Sequence, residues 1–267
     1  MSASPAAAPN VASPSATDRI RAVLFDLDGT LVETEALKAQ SYARAAAELR
    51  PHELRAEDVI AAYDDLVGRS REQVVAALMH RFHLEAPARA RMAELDAHSP
   101  AEAFSNLRLS FYESMLADHS LVRRQEYPEA LALLHRVVHA GYPTGVATMS
   151  HAAQALPVLD ILGVRRELDA VVTRDDVEHP KPDPEIYLLL AHRLGVAPVA
   201  CLVIEDSLPG VESALAAGMT CVAASTELTR HALHASHALP PERIVDDPSR
   251  LAAVVLPLLN QPGTATA

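Results

Sequence analysis

The chain has 267 residues, 49% apolar and 22% charged, which is the balance of an ordinary globular protein of one or two domains. Its 23 Lys and Arg against 35 Asp and Glu leave a net charge of −12, with no basic patch, so nucleic acid and anionic lipid are not expected partners. No apolar run reaches the roughly 18 residues needed to span a membrane.

Residues 1–17, MSASPAAAPNVASPSAT, predict a disordered tail that lacks the apolar segment of a secretion signal, and residues 259–267 predict a second tail. The expected location is therefore cytoplasmic. IRAVLFDL (Ile20–Leu27) predicts a buried strand. Residues 34–120 are Ala-rich and strand-poor, with helix-start signals at Ser70-x-x-Gln73 and Ser99-Pro100-x-Glu102. From about Leu121 the chain alternates. Pro128–Ala140 predicts a helix closed by Gly141, Thr144–Met149 a strand, and His151–Leu162 a helix stopped by Gly163. Asp169–Thr173 predicts a strand, and Asp183-Pro184 opens a helix that ends at Gly195. Cys201–Glu205 and Thr220–Ala224 predict strands separated by a helix running to Gly218. Strands alternating with helices make βαβ units and a parallel sheet, so the fold class is α/β. The helical block, about 85 residues, is too long for a loop and predicts a second domain inserted after the first strand. Cys201 and Cys221 sit in apolar runs and read as buried, reduced thiols. His135, His139 and His231 lack metal-ligand spacing.

In open parallel sheets ligands bind at the carboxyl ends of the strands. The residues there are Asp26-Leu27-Asp28-Gly29-Thr30, Thr148-Met149-Ser150, Lys181 and Glu205-Asp206-Ser207. Four carboxylates gather with one lysine on a single sheet edge; such crowded carboxylates repel one another unless a cation joins them, and a hard divalent ion such as Mg²⁺ suits oxygen donors. Each element alone is ordinary turn or cap chemistry. All of them in order, each after a predicted strand or on a sheet-edge loop, point to a catalytic site.

FDLDGTLVETE, VATMS, HPKPDPEIY and VIEDSLPGVESALAAGM together resemble the four motifs of the haloacid dehalogenase-like superfamily. The resemblance spans about residues 20–225 and is closest to the branch of beta-phosphoglucomutase-like and phosphoglycolate-phosphatase-like enzymes. It implies a three-layer, doubly wound, Rossmann-like core from residues 18–33 and 121–258, with a helical cap at 34–120. It further implies that Asp26 is the nucleophile, forming an aspartyl-phosphate, and that Asp28 is general acid and then base. Positions i and i+2 of a strand-like stretch point the same way, so both carboxylates are expected to reach one phosphate. By the same resemblance an Asp26 oxygen, the Asp28 backbone carbonyl and Asp206 hold Mg²⁺, with Glu205 ligating it or supporting it through water. Lys181 and Thr148 contact the phosphoryl group, and Gly29 permits a tight turn beside it.

An acid at Asp28 is absent from the dehalogenase branch, so the expected reaction is on a small phosphorylated metabolite, with a sugar phosphate favoured. In the cap, Arg71 within Gly68-Arg69-Ser70-Arg71 matches an arginine that contacts a substrate phosphate, or else is an exposed first-turn residue. Thr34 matches a hinge threonine or is a simple helix cap. Ser150 is placed to contact a distal phosphate or hydroxyl. Lys38 stands where the branch often has His, Met149 where hydrolases often have Asn or Ser, and His151-Ala152 where the mutases have Lys-Asn. These departures favour a phosphatase, with a phosphoglucomutase-like phosphotransferase as the alternative. A non-catalytic regulatory protein is disfavoured by the complete acidic set.

Overall fold

The apolar runs pair into one sheet because each is buried on both faces and can satisfy its backbone only against another strand. The computed structural model describes residues 19–67 and 70–259. Residues 1–17 and 260–267 of the two predicted tails, and Gly68 and Arg69 of the cap motif, lie outside the described residues. The strands are β1 (Ala22–Phe25), β2 (Thr144–Ala147), β3 (Ala170–Val172), β4 (Cys201–Glu205), β5 (Thr220–Ala224) and β6 (Ile244–Val245). They run parallel in the order β3-β2-β1-β4-β5-β6. The chain winds outward from β1 to β3, then crosses back to β4 on the other side of β1. The switch point between the two windings thus falls at the carboxyl ends of β1 and β4, where such sheets open a crevice.

Six helices follow β1: α1 (Glu35–Leu49), α2 (Ala56–Asp64), α3 (Arg71–Arg81), α4 (Glu85–Ala90), α5 (Pro100–Leu116) and α6 (His119–Arg123). The α/β alternation then resumes with α7 (Pro128–His139), α8 (Ala152–Leu162), α9 (Glu185–Leu194), α10 (Leu208–Ala216), α11 (Arg230–Ser236) and α12 (Leu251–Leu259). Alternate strand residues sort into two cores. Val23, Phe25, Val146, Leu202, Ile204 and Val222 pack with α7, α8 and α12. Ala22, Leu24, Ala147, Cys201, Val203 and Cys221 pack with α9, α10 and α11. That is the expected three-layer architecture, and both cysteines are buried free thiols in one of its layers. Among the described residues no helix is long and apolar enough to cross a membrane.

The inserted helices carry a third apolar cluster of their own, centred on Tyr42, Tyr63, Leu78 and Phe104. The Tyr42 ring lies 5.3 Å from that of Tyr63 and 5.9 Å from that of Phe104. Ser70 and Gln73 close a reciprocal capping box at the start of α3. Ser99 caps α5, but the Glu102 carboxylate takes the N–H of His98 instead of that of Ser99. The ends of α1 and α5, through Leu37, Tyr112 and Met115, join the core of the sheet and so tether the insert.

Three differences from the sequence expectations have plain causes. β6 is only two residues long, too short for an alternation signal. α12 contains Pro257, which reads as a breaker, yet the helix holds because Leu251, Val255 and Leu259 are buried against the sheet. Leu259, assigned to the C-terminal tail, is therefore a core residue at 2% exposure.

Phe104 is fully buried at the centre of the insert's own cluster. Phe104→Ala is expected to cost about 3–5 kcal/mol. Hydrogen exchange should show the loss confined to the amides of α1–α5, with those of β1 and β4 still protected. Equal loss across both regions would mean that the insert does not open on its own.

Candidate active site

The charged residues gather where the winding reverses. β1 ends at Phe25, and Asp26 continues its pairing for one more residue by donating its N–H to the Ile204 carbonyl. β4 ends on Glu205, with Asp206 next to it. Lys181 arrives from the loop before α9, which is pinned to α10 by Ser213 Oγ donating to the Asp183 carbonyl at 2.7 Å.

Lys181 Nζ lies 2.6 Å from Asp26 Oδ1 and 2.6 Å from Glu205 Oε1, and all three side chains are buried. The ammonium also reaches the Ala147 carbonyl and the Tyr187 hydroxyl, each at 3.2 Å. Glu205 is saturated. Its Oε1 accepts from Lys181 and from the Tyr187 hydroxyl, and its Oε2 accepts from the N–H groups of Asp206 and Ser207 and from Ser207 Oγ. Burial alone would raise the Glu205 carboxyl, but Lys181 outweighs it and holds the group below the usual range. Burial lowers and the two carboxylates raise Lys181, with a net rise.

Asp26 and Asp206 are left in the opposite condition. Burial pushes Asp26 up to about 8; Lys181 pulls it down, while Glu205 and Asp28 add to the rise. Burial, then the charges of Glu205 and Asp26, push Asp206 well above the ordinary carboxylate value. One oxygen from each of Asp26, Glu205 and Asp206 lies within 4.8 Å of the other two. A buried set of hard oxygen donors whose own repulsion favours protonation is the arrangement that a divalent cation relieves. Since Glu205 already spends its lone pairs on Lys181, Tyr187 and the Ser207 turn, the open donors are Asp26 and Asp206. Glu205 thus serves this cluster as the anchor of Lys181, while it also belongs to the group of three carboxylates that could hold a cation.

Two glycines make the packing possible. Gly29 has φ +92°, and a Cβ there would sit 2.3 Å from Asp206 Oδ2. Its lack of a side chain admits Asp206, a reason more specific than the expected turn beside a phosphate. A Cβ on Gly210, in α10, would fall 1.8 Å from Glu205 Oε1. Sequence reasoning missed Gly210, since a glycine inside a helix motif carries no sign of what it faces.

Asp28 lies past the end of β1, close enough for its charge to add to the rise of Asp26, and its carboxylate is held by other partners. Thr148 Oγ1 donates to Asp28 Oδ2 at 2.9 Å and Ser150 Oγ at 2.8 Å, while the Thr34 hydroxyl donates to Oδ1. Lys38 Nζ pairs with the same Oδ1 at 3.0 Å. Burial would raise the Asp28 carboxyl, but Lys38, Thr34 and Ser150 prevail and hold it at about 2. Thr34 precedes α1, yet its side chain makes no cap bond. Its hydroxyl serves Asp28 in place of the helix N-terminus. Thr148, expected to face a phosphoryl group, here donates to Asp28 as well.

Lys38 was legible only as a departure from the family pattern. In the structure it bridges Asp28 and Glu35, at 3.0 and 2.7 Å, and Glu35 accepts from the Tyr63 hydroxyl at 2.5 Å. The inserted helices therefore grip the site through Asp28. Arg71 stands at the first position of α3, half-buried and without an ion pair among the described residues. His151 and Ala152 bind Asp175 through a ring nitrogen and a backbone N–H, a structural use. His135 likewise pairs with Glu167 at 2.9 Å.

Residues 20–218 match the family model of the haloacid dehalogenase-like hydrolases. The chain is 33% identical over 205 residues to the fructose-1-phosphate phosphatase YqaB of Escherichia coli, covering 77% of this chain and 96% of that protein. It is 31% identical over 215 residues to the validoxylamine A 7'-phosphate phosphatase of Streptomyces hygroscopicus, covering 80% and 89%. The beta-phosphoglucomutase of Clostridium difficile shares the fold at a TM-score of 0.63 and 21% identity, over 87% of this chain and 93% of that one.

Gly210→Ala tests the pose of Glu205. Helix propensity alone would stabilise the variant by about 1 kcal/mol, whereas collision with the carboxylate should destabilise it by about 1–3 kcal/mol. Urea denaturation gives the sign, and a stabilised variant would show that Glu205 lies elsewhere.

Proposed function

The chain belongs to the haloacid dehalogenase-like hydrolases, and from that premise we propose that it is an Mg²⁺-dependent phosphatase of small phosphorylated sugars. The observation that carries this reading is the buried Asp26–Lys181–Glu205 array beside Asp206, whose carboxyl has no ion pair among the described residues. An enzyme of phosphoryl transfer needs a nucleophile, a fixed positive charge and an acid–base group around one phosphorus, and little else.

Asp26 is the nucleophile. Its free oxygen forms a bond to phosphorus while the ester P–O bond breaks, and the departing oxygen takes a proton from Asp28. A water that gives its proton to Asp28 then attacks phosphorus and releases both phosphate and the Asp26 carboxylate. Lys181, held by Glu205 and Tyr187, keeps positive charge at Asp26 and the phosphoryl oxygens throughout. Asp26 and Asp206, with the Asp28 carbonyl, are the residues to hold Mg²⁺, which when bound supplies charge that restores both carboxylates to their ionised forms and neutralises the phosphate.

Asp28 at rest is a carboxylate held by Lys38 and Thr34. It is thus in the ionised form that its second task, taking a proton from water, starts from. To give a proton in the first step it must take one up and release the contacts from α1 and its entry, which ties catalysis to the position of the inserted helices. The phosphatase reading is favoured over phosphotransfer to a second sugar by the named activities of the relatives and by His151-Ala152, whose contacts go to Asp175.

Purified protein with Mg²⁺ should hydrolyse p-nitrophenyl phosphate and, faster, members of a panel of sugar phosphates. Asp26→Asn should reduce both rates by at least about 10³-fold while circular dichroism stays unchanged. Full activity in that variant would remove Asp26 as the nucleophile. A chelator should stop turnover and added Mg²⁺ restore it; activity that survives chelation would count against the metal. With β-glucose 1-phosphate and a bisphosphate primer, inorganic phosphate is the expected product. Glucose 6-phosphate without free phosphate would establish the mutase instead.

A further inference from the structure

Tyr187, on α9, is fully buried in one of the two apolar layers that cover the sheet, in a cluster with Ala22, Leu24, Val203 and Cys221. A phenylalanine would give the same apolar contacts without the cost of taking a hydroxyl out of water. The hydroxyl turns to the charged array. It donates to Glu205 Oε1 at 2.8 Å, and its oxygen stands 3.2 Å from Lys181 Nζ.

An ammonium has three protons and no lone pair. Four acceptors surround that of Lys181: Asp26 Oδ1 and Glu205 Oε1 at 2.6 Å, and the Ala147 carbonyl and the Tyr187 oxygen at 3.2 Å. The two short contacts compete for one charge. A stronger pull from Glu205 draws the ammonium off Asp26 and off any phosphoryl oxygen that Asp26 attacks. Tyr187 opposes that pull in two ways. Its only proton goes to the same Oε1 that holds Lys181, so the charge of that oxygen is shared. Its lone pair offers the ammonium an acceptor with no net charge, and so steadies Nζ without adding a third buried carboxylate beside it.

We propose that Tyr187 is a positioning residue for phosphoryl transfer: by sharing Glu205 with Lys181, its hydroxyl keeps the ammonium directed at Asp26 and the transferring group. This rests on the phosphatase reading above and deepens it. In the sequence Tyr187 reads only as an apolar position of α9 beside Ile186 and Leu190, all buried. Its hydroxyl acquires a role once the sheet sets Glu205, 18 positions on, against it.

The test is Tyr187→Phe in the full-length chain with Mg²⁺. The ring contacts stay and Glu205 Oε1 keeps Lys181, so circular dichroism should be unchanged. With p-nitrophenyl phosphate, kcat should fall about tenfold or more, the scale of one hydrogen bond to a charged group, while KM moves by less than about twofold. The split follows because the hydroxyl touches no substrate and acts on charge that develops during transfer. Inhibition by vanadate, which copies the five-coordinate phosphorus, should weaken by about the factor lost in kcat, and inhibition by inorganic phosphate by less than about twofold. A merely structural Tyr187 would lower the thermal midpoint and leave both kcat and the vanadate-to-phosphate ratio intact. The proposal is overturned by a folded variant whose kcat stays within about twofold of the parent's, or by a vanadate-to-phosphate ratio that does not move. If Tyr187→Phe fails to fold, Tyr187→Met is read in its place by the same two criteria. The parent's own turnover separates the two claims. An inactive parent removes the phosphatase reading and this inference with it, whereas an active parent with an equally active variant removes this inference alone.

Discussion

A lysine ammonium held 2.6 Å from each of two buried carboxylates is the constraint around which the chain is arranged. An ammonium and two carboxyl groups in a dry interior are tolerable only when each is paired and its remaining lone pairs and protons are used. Glu205 meets that condition with five donors, and Lys181 with Asp26, Glu205, Ala147 and Tyr187. Much of the local sequence follows from it. Gly210 leaves room for the glutamate, Ser207 both caps α10 and donates to Glu205, and Tyr187 lies on α9 where its hydroxyl completes the ring of contacts. Asp26 and Asp206 remain short of positive charge, and their carboxyls are pushed up by burial and by the neighbouring acidic groups.

The second acidic centre, Asp28, has a different logic. It is bound from the sheet by Thr148 and Ser150 and from the inserted helices by Thr34 and Lys38. A group held by two bodies reports on their separation. Reactive carboxylate and inserted helices are thereby coupled through ordinary hydrogen bonds and one ion pair. The Glu35–Tyr63 contact extends that coupling to the apolar cluster of the insert.

The sequence was most readable where local chemistry and position in the sheet coincide. Apolar runs of β-branched residues, glycine stops at Gly163 and Gly195, and the capping box at Ser70 act within a few residues, and each formed as expected. It was least readable where a residue acts through a neighbour distant in the chain. Gly210 is defined by Glu205, and Lys38 by Asp28. β6 and α12 belong to the same class, since a two-residue strand and a proline-bearing helix exist only because the sheet edge and the apolar layer accept them.

By itself, then, the sequence determined the alternation that makes a parallel sheet, the interruption that makes an inserted helical block, and the acidic and basic residues delivered to the strand ends. Periodicity and turn chemistry are properties of neighbouring residues, and the order of the chain specifies them. Tertiary structure alone decided which of those charges pair. Asp26 and Lys181 meet across 155 positions and Thr148 and Asp28 across 120. Only the sheet order, which places β1 beside both β2 and β4, brings such residues within hydrogen-bonding reach.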